Sequence, residues 1–303
     1  MGNIDSRLLM VSIRCATYNH APYIRQCLDG FVMQKTNFRF EAIVHDDAST
    51  DGTTDIVREY AEKYPDIIKP MYETENQYSK NVAAMNEAIN ARLVGKYVAL
   101  CEGDDYWTDP YKLQKQVDFL EKNPDYSLVR TNVNRFHQKK GRLERDYFSH
   151  SRKLKDTREF YIMNSRWFAT CTWLFRNIYC EKDIFRDVNI DFFKGDVYLL
   201  LRLSRLGRVK YLNDSTAVYR ILSDTASHFS SWKNWFYFSW QCKNTRLLFA
   251  QNESFMLRLR FWMKETIKVG YRAIRSLNFT CIQTAIKSSY NDFCFLFLRK
   301  RIS

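Results

Sequence analysis

The chain has 303 residues, 47 Lys and Arg against 34 Asp and Glu, and a formal net charge of +13. Hydrophobic residues make up 46% and aromatics 16%, enough for a packed core, which excludes a disordered or low-complexity chain. The charge invites a polyanion (nucleic acid, an acidic membrane face or a phosphorylated substrate) without choosing among them.

Leu9 to Ala16 reads as a strand, and Pro22 opens a helix through Met33. Phe40 to His45 is a buried strand, and Thr53 to Tyr64 a helix ended by Pro65. Ile67 to Tyr72 is a third strand, and the alanines between Val82 and Leu93 favour a third helix. Lys96 to Cys101 is a strand, Pro110 introduces a helix through Lys122, and Ser127 to Asn134 is a strand again. This alternation predicts an α/β fold with a mostly parallel sheet and helices on both faces. Ligands on such sheets bind at the carboxyl ends of the strands.

Past Phe136 the pattern loosens. Gln138 to Lys155 reads as an exposed basic loop, Trp173–Arg176, Arg208–Leu212 and Thr216–Arg220 as short strands, and Asp196–Arg205 as a helix. Eight cysteines contain no Cys-x-x-Cys pair and no His at ligand spacing, which predicts reduced thiols rather than zinc or disulfides. The polar start, Met1 to Ser6, does not read as a secretory signal.

Two strand ends carry paired carboxylates. After the second strand comes His45-Asp46-Asp47-Ala48-Ser49-Thr50-Asp51-Gly52-Thr53, and after the fourth Glu102-Gly103-Asp104-Asp105-Tyr106-Trp107. Acids clustered on neighbouring strand ends repel one another unless a cation or hydrogen-bond donors offset them. A divalent ion, Mn2+ or Mg2+, takes carboxylate and phosphate oxygens together. The first run also reads as a helix-capping turn, with Ser49 or Thr50 as cap and Gly52 easing the bend.

Val11-Ser12-Ile13, Thr17-Tyr18-Asn19, the run from Asp46 to Thr53 and Glu102-Gly103-Asp104-Asp105 together resemble glycosyltransferase family 2. The resemblance covers residues 9 to 135 closely and 165 to 228 loosely, and it implies the nucleotide-sugar-binding fold called GT-A. It implies a catalytic domain over 1–228, with a nucleotide-binding half (1–135) and an acceptor half (136–228), followed by a basic aromatic helical region over 229–303. Carried over by position, Thr17, Tyr18, Asn19, Asp46, Asp47, Lys80, Asn86 and Asp104 form the nucleotide-sugar set. Asp47 would accept a bond from the base, and Asp105, with Asp104, would hold the metal. Met85 stands where the family has Arg in Ala-Arg-Asn, with Lys80 and Arg92 as nearby cations.

Sugar transfer needs a base for the acceptor hydroxyl. Asp196, opening Asp196-Val197-Tyr198-Leu199, resembles the family's base, and Asp191 is the second candidate. Asp196 also reads as a helix N-cap, and as a base in a single displacement it implies inversion at the anomeric carbon. Thr172 and Trp173 fall where acceptor contacts lie in the family; Arg220 and His228 resemble a segment that closes over the pyrophosphate.

Residues 229–303 hold 13 Lys and Arg against 3 Asp and Glu, with 17 aromatics. From Phe255 to Leu277, apolar residues at 255, 259, 262, 263, 267, 271, 274 and 277 recur at helical spacing, with Lys264, Lys268, Arg272 and Arg275 off that stripe. Such a helix either lies on an anionic membrane or packs on the catalytic domain. The resemblance implies a nucleotide-sugar donor, a UDP-sugar first, and a glycan or lipid-linked acceptor. It implies surface-polysaccharide assembly and a cytoplasmic, peripheral location on the inner membrane face. Two rivals stand beside it. A nucleotidyltransferase would need a Gly-rich basic loop after the first strand, which Cys15–His20 does not offer. A nucleic-acid-binding protein would account for the charge, but no recognition motif is present, and no nucleic-acid partner is expected.

Overall fold

A computed structural model of the chain describes residues 8–149, 157–164, 169–179, 194–222 and 231–298. They fall into two compact units: strands β1–β9 with helices α1–α4, and helices α5–α9.

In the first unit the expected order holds. β1 (Leu9–Thr17), β2 (Arg39–Asp46), β3 (Ile68–Tyr72) and β4 (Tyr97–Leu100) run parallel in the order β3-β2-β1-β4. β1 is paired on both sides and largely buried, with only Ser12, Arg14 and Thr17 polar along it. α1 (Ala21–Val32) starts with its proline in the first turn and buries Ile24, Cys27, Leu28 and Phe31. α2 (Thr53–Lys63) follows Gly52, whose φ of 97° is left-handed. α3 (Gln77–Asn90) begins five residues before the expected Val82. Asn76 caps it by accepting from Ser79 N, and Asn81 interrupts it (φ −154°, ψ 80°). Alanine content marked the body of this helix and missed the cap. α4 (Lys112–Lys122) buries Leu113, Val117 and Leu120.

The sheet continues through β8 (Trp173–Arg176), antiparallel to β4, then β6 (Tyr126–His137), β9 (Arg208–Ile221) and the two-residue β5 (Tyr106–Trp107). β7 (Arg142–Glu144) pairs with β6, so part of the stretch expected to be a loop is an edge hairpin. The two short strands expected at 208–212 and 216–220 are one strand, β9, with register shifts against β6 where the polar Asn213–Ser215 sits.

The second unit comprises α5 (Arg158–Met163), α6 (Gly195–Leu206), α7 (Trp232–Ala250), α8 (Phe255–Arg275) and α9 (Phe279–Leu298). α5 and α6 therefore group with the tail helices rather than with the sheet. Ser231 and Ser254 cap α7 and α8. α7, α8 and α9 bury Phe236, Val269, Ala273 and Cys281 together.

Within α8 the buried face is Leu257, Phe261, Glu265, Val269 and Ala273. The apolar stripe read from sequence is mostly the other face: Phe255, Met263, Ile267, Tyr271, Ile274 and Leu277 are exposed. Among the described residues no helix is long and apolar enough to cross a membrane. The seven described cysteines are buried free thiols.

Candidate functional site

β1 pairs in parallel with both β2 and β4, so the carboxyl ends of three strands lie side by side. The loops after them interlock. At the end of β2, Asp46 is buried. Its Oδ1 accepts from the Ser49 backbone N–H (3.2 Å) and hydroxyl (2.5 Å), and its Oδ2 from the Thr54 hydroxyl (2.5 Å). Asp51 accepts from the Thr53 N–H and hydroxyl and from the Ala21 N–H. Asn19, left-handed at φ 53°, donates its N–H to Ser49 Oγ and accepts from Thr50 N, both at 2.9 Å. Ser49 and Thr50 thus brace the turn; the residue preceding α2 is Gly52.

Asp47 is committed in another direction. Its Oδ1 accepts from Gln77 N (2.6 Å) and its Oδ2 from Tyr78 N (3.0 Å), at the start of α3. A carboxylate there satisfies free helix amides and meets the positive end of the helix. Of the residues expected to bind the nucleotide, Asn19, Asp46 and Asp47 therefore shape the loops, while Tyr18 is 45% exposed.

The third loop rests directly on the first. Gly103 N donates to Ala16 O (3.0 Å) and Asp105 N to Glu102 O (3.0 Å). A Cβ on Gly103 would lie 2.6 Å from Thr17 Oγ1 and 3.0 Å from His20 Nδ1, so only glycine allows this seat. Thr17 Oγ1 and His20 Nδ1 are themselves buried without a hydrogen-bond partner among the described residues. Buried polar atoms are seldom left so, and both lie against Gly103.

Two acids of this loop, Glu102 and Asp105, are perturbed by burial and by the charge of Asp104. Burial first, then the charges of Asp104 and Glu102, push the Asp105 carboxyl well above its ordinary range. Burial and Asp104 likewise raise Glu102, with Arg14 and the Thr170 hydroxyl opposing. A divalent cation would offset such a deficit. The two acids expected to hold the metal differ in exposure. Asp105 is 2% exposed, and its Oδ1 accepts from Arg220 N (2.8 Å). Asp104, partly exposed, is the carboxylate open to a cation. Among the described residues no three His, Cys, Asp or Glu side chains gather as a metal cage, so substrate oxygens would complete the shell.

Arg220, expected in a segment that closes over the pyrophosphate, is held from several sides in the structure. It is 5% exposed on β9, with Nε donating to Asp104 O, Nη1 to Gln138 and Nη2 to Gln26. The rings of Tyr23, Tyr106 and Phe136 enclose its guanidinium. It is a fixed strut under the acidic turn. Trp173 and Thr172, expected as acceptor contacts, are both buried. Trp173 is 1% exposed, which leaves no ring face for a sugar, and Thr172 donates to Ala169 O in the core. Lys80 lies on the surface, paired with Glu75.

Met85 is buried, and its neighbour Asn86 accepts from Arg14 Nη2 at 2.5 Å. Arg14, on β1, is a cation that the motif comparison missed. Its signal in the sequence is a single charge inside the apolar run Val-Ser-Ile-Arg-Cys-Ala.

Asp196 belongs to the second unit. It sits in the first turn of α6, one residue inside the helix rather than at its cap, is exposed, and accepts from Val197 N at 2.8 Å. Crowding by surrounding protein raises its carboxyl, with the Val197 bond and Lys194 opposing. Asp191 and His228 lie outside the described residues.

Parallel strands ending in an acidic turn place the candidate site at the carboxyl ends of an α/β sheet. The chain belongs to glycosyl transferase family 2, whose model matches residues 12–182, and its fold is GT-A. An uncharacterized protein of Mycobacterium tuberculosis is 46% identical over 118 residues, 39% of this chain and 33% of that one. The UDP-Glc:alpha-D-GlcNAc-diphosphoundecaprenol beta-1,3-glucosyltransferase WfaP of Escherichia coli is 32% identical over 112 residues, 37% of this chain and 41% of WfaP. These matches span about a third to two fifths of the relatives' own length. Among solved structures, S. aureus TarS 1-349 in complex with UDP aligns with a TM-score of 0.61 at 16% identity, covering 95% of this chain and 81% of that one. At that identity the likeness concerns the fold.

Proposed function

We propose that this chain is an inverting glycosyltransferase that moves a sugar from a nucleotide-sugar, a UDP-sugar first, to a hydroxyl of a glycan or lipid-linked acceptor in surface-polysaccharide assembly. The observation that carries this reading is the Gly103 turn, which sets Asp104 beside the orphaned Thr17 and His20 atoms at the strand ends. The UDP donor has support from TarS, solved with UDP. The lipid-linked acceptor has support from WfaP, which by its name uses UDP-Glc and a diphosphoundecaprenol-linked sugar.

Thr17 and His20 would bond the donor, and the Arg220 strut would keep Asp104 and Asp105 in place beneath it. A divalent cation, Mn2+ or Mg2+, held at Asp104 would supply the positive charge that stabilises the departing diphosphate. Asp196 takes the proton of the acceptor hydroxyl as its oxygen bonds to the anomeric carbon. The bond from that carbon to the diphosphate breaks on the opposite side, which inverts the configuration. The exposure of Asp196 keeps it reachable by an acceptor hydroxyl. The test is release of nucleoside diphosphate from a panel of UDP-, GDP- and dTDP-sugars with Mn2+. Turnover with none of them would refute the reading.

We also propose that α8 rests on an anionic membrane surface at the cytoplasmic face. Met263, Ile267, Tyr271 and Ile274 are exposed along one side, with Arg260, Lys264 and Arg275 exposed beside them. Flotation with phosphatidylglycerol vesicles should recover the full chain, and Ile267→Glu with Ile274→Glu should abolish recovery. Equal flotation of the variant would refute this.

A further inference from the structure

Arg14 is a cation on the central strand β1 with no counter-charge of its own. It is half-buried, and a charge withdrawn from water costs free energy unless a partner or a ligand offsets it. Among the described residues its guanidinium forms no ion pair, and its one side-chain hydrogen bond runs from Nη2 to the uncharged Asn86 Oδ1 at 2.5 Å. Glu102, on the adjoining turn, is engaged elsewhere, accepting from the Thr170 hydroxyl at 3.1 Å. Two other cations of the candidate site are already spoken for. Arg220 donates to Asp104 O, Gln138 and Gln26, and Lys80 is paired with Glu75.

The backbone fixes the height of this charge. Cys101 N donates to Arg14 O at 3.1 Å and Gly103 N to Ala16 O at 3.0 Å, so the ladder between β1 and β4 continues into the acidic turn. Arg14 therefore lies two residues below the rung that seats Gly103, about 7 Å at 3.3 Å per residue, a span that an extended arginine side chain covers. Residues 14 and 17 of one strand point to opposite faces. Thr17 lies against Gly103 on one face, and Arg14 meets α3 through Asn86 on the other.

α3 leads from the rim of the sheet to this contact. Its first amides, Gln77 N and Tyr78 N, bond Asp47 at the end of β2. After the break at Asn81 the helix restarts, with Asn81 Oδ1 accepting from Ala84 N at 3.1 Å, and Asn86 follows one turn on. A donor lying across the tip of β1 thus has Thr17 and His20 on one side and the Arg14 guanidinium on the other.

We propose that Arg14 contacts the diphosphate of the nucleotide-sugar donor from the α3 side of the strand ends, with Asn86 bonded to its Nη2. This rests on the glycosyltransferase reading and deepens it by assigning a fixed positive charge to the leaving group. A diphosphate arriving at these strand ends meets the carboxylates of Glu102, Asp104 and Asp105, and a guanidinium with no counter-charge offsets that repulsion. It also offers paired N–H donors to phosphate oxygens. As the bond to the anomeric carbon breaks, charge grows on the departing diphosphate, and a cation already in place stabilises it without rearrangement.

The test titrates the full chain calorimetrically with UDP, GDP and dTDP in turn, with Mn2+, and then with the matching nucleosides, which lack the phosphates. Arg14→Gln should weaken the nucleoside diphosphate about tenfold or more and leave the nucleoside unchanged, whereas Arg14→Lys should retain most of the affinity. If Arg14 served only to fasten α3 to β1, nucleoside and nucleoside diphosphate would weaken in the same proportion. Near-ultraviolet circular dichroism establishes that the variants are folded. The proposal is overturned if Arg14→Gln binds the diphosphate as tightly as wild type, if Arg14→Lys loses as much as Arg14→Gln, or if the nucleoside weakens as much as the diphosphate. Diphosphate binding that survives Arg14→Gln undoes this proposal alone; a wild-type chain that binds none of the three undoes the glycosyltransferase reading with it.

Discussion

Replacing Gly103 by Ala tests how the acidic turn is held. The new Cβ would lie 2.6 Å from Thr17 Oγ1, 2.7 Å from Thr17 Cβ and 3.0 Å from His20 Nδ1, where ordinary contact begins near 3.4 Å. Thr17 is buried on the central strand and cannot retreat, so the turn must lift by about 0.8 Å, stretching the Gly103 N–H bond to Ala16 O. Overpacking of this kind costs about 1–3 kcal/mol. A displacement of about 1 Å near the reacting groups can cost on the order of a hundredfold in rate. Thermal melting and UDP titration with Mn2+ should therefore both show a loss in Gly103→Ala. Adding Thr17→Gly removes both clashing atoms and should restore part of the melting temperature. A Gly103→Ala protein with unchanged melting and unchanged UDP affinity would refute the reasoning, as would a double variant no better than the single one.

Asp105 is the site of a pH-dependent trade. Its carboxyl is raised in the fold by burial and by Asp104 and Glu102, so the folded state keeps that proton to higher pH than the unfolded chain. Stability from this group is present in acid and is lost as pH rises through the folded value. Asp105→Asn should raise the melting temperature of the ligand-free protein at neutral pH, with the gain vanishing in acid, and weaken UDP binding with Mn2+. Asp196→Asn should lower turnover about 10²–10⁴-fold with UDP affinity unchanged. Glu265→Gln leaves Arg246 without its buried counter-charge and should cost about 3–5 kcal/mol in denaturant unfolding, a larger loss than Lys268→Gln.

The parallel half of the sheet was legible because β1, β2 and β4 are short apolar runs punctuated by Pro22, Gly52 and Pro110, signals that act within a few residues. The acidic turn was legible as composition. The distinction between Asp104 and Asp105 was not, because it depends on Arg220, a strand partner 115 positions away. Asp46 and Asp47 read alike in sequence as ligand site or turn, yet Asp46 bonds Ser49 and Thr54 close by whereas Asp47 bonds Gln77 and Tyr78 at the start of α3. Trp173 and Thr172 read either as acceptor contacts or as core, because nothing local in the sequence indicates that both are buried. The α8 stripe was detected at the right period, yet a second apolar face, interrupted by Glu265, made the packing contact. A buried Glu reads as polar until its partner Arg246 is known.

The most direct test of the account is turnover of nucleotide-sugars by the wild-type chain, Asp104→Ala and Asp196→Asn, followed as release of nucleoside diphosphate with Mn2+. The account predicts release from one class of nucleotide-sugar by the wild type. Asp104→Ala should lose both UDP binding and release, and Asp196→Asn should lose release alone. Undiminished release by either variant, or no release by the wild type from any donor, would contradict it.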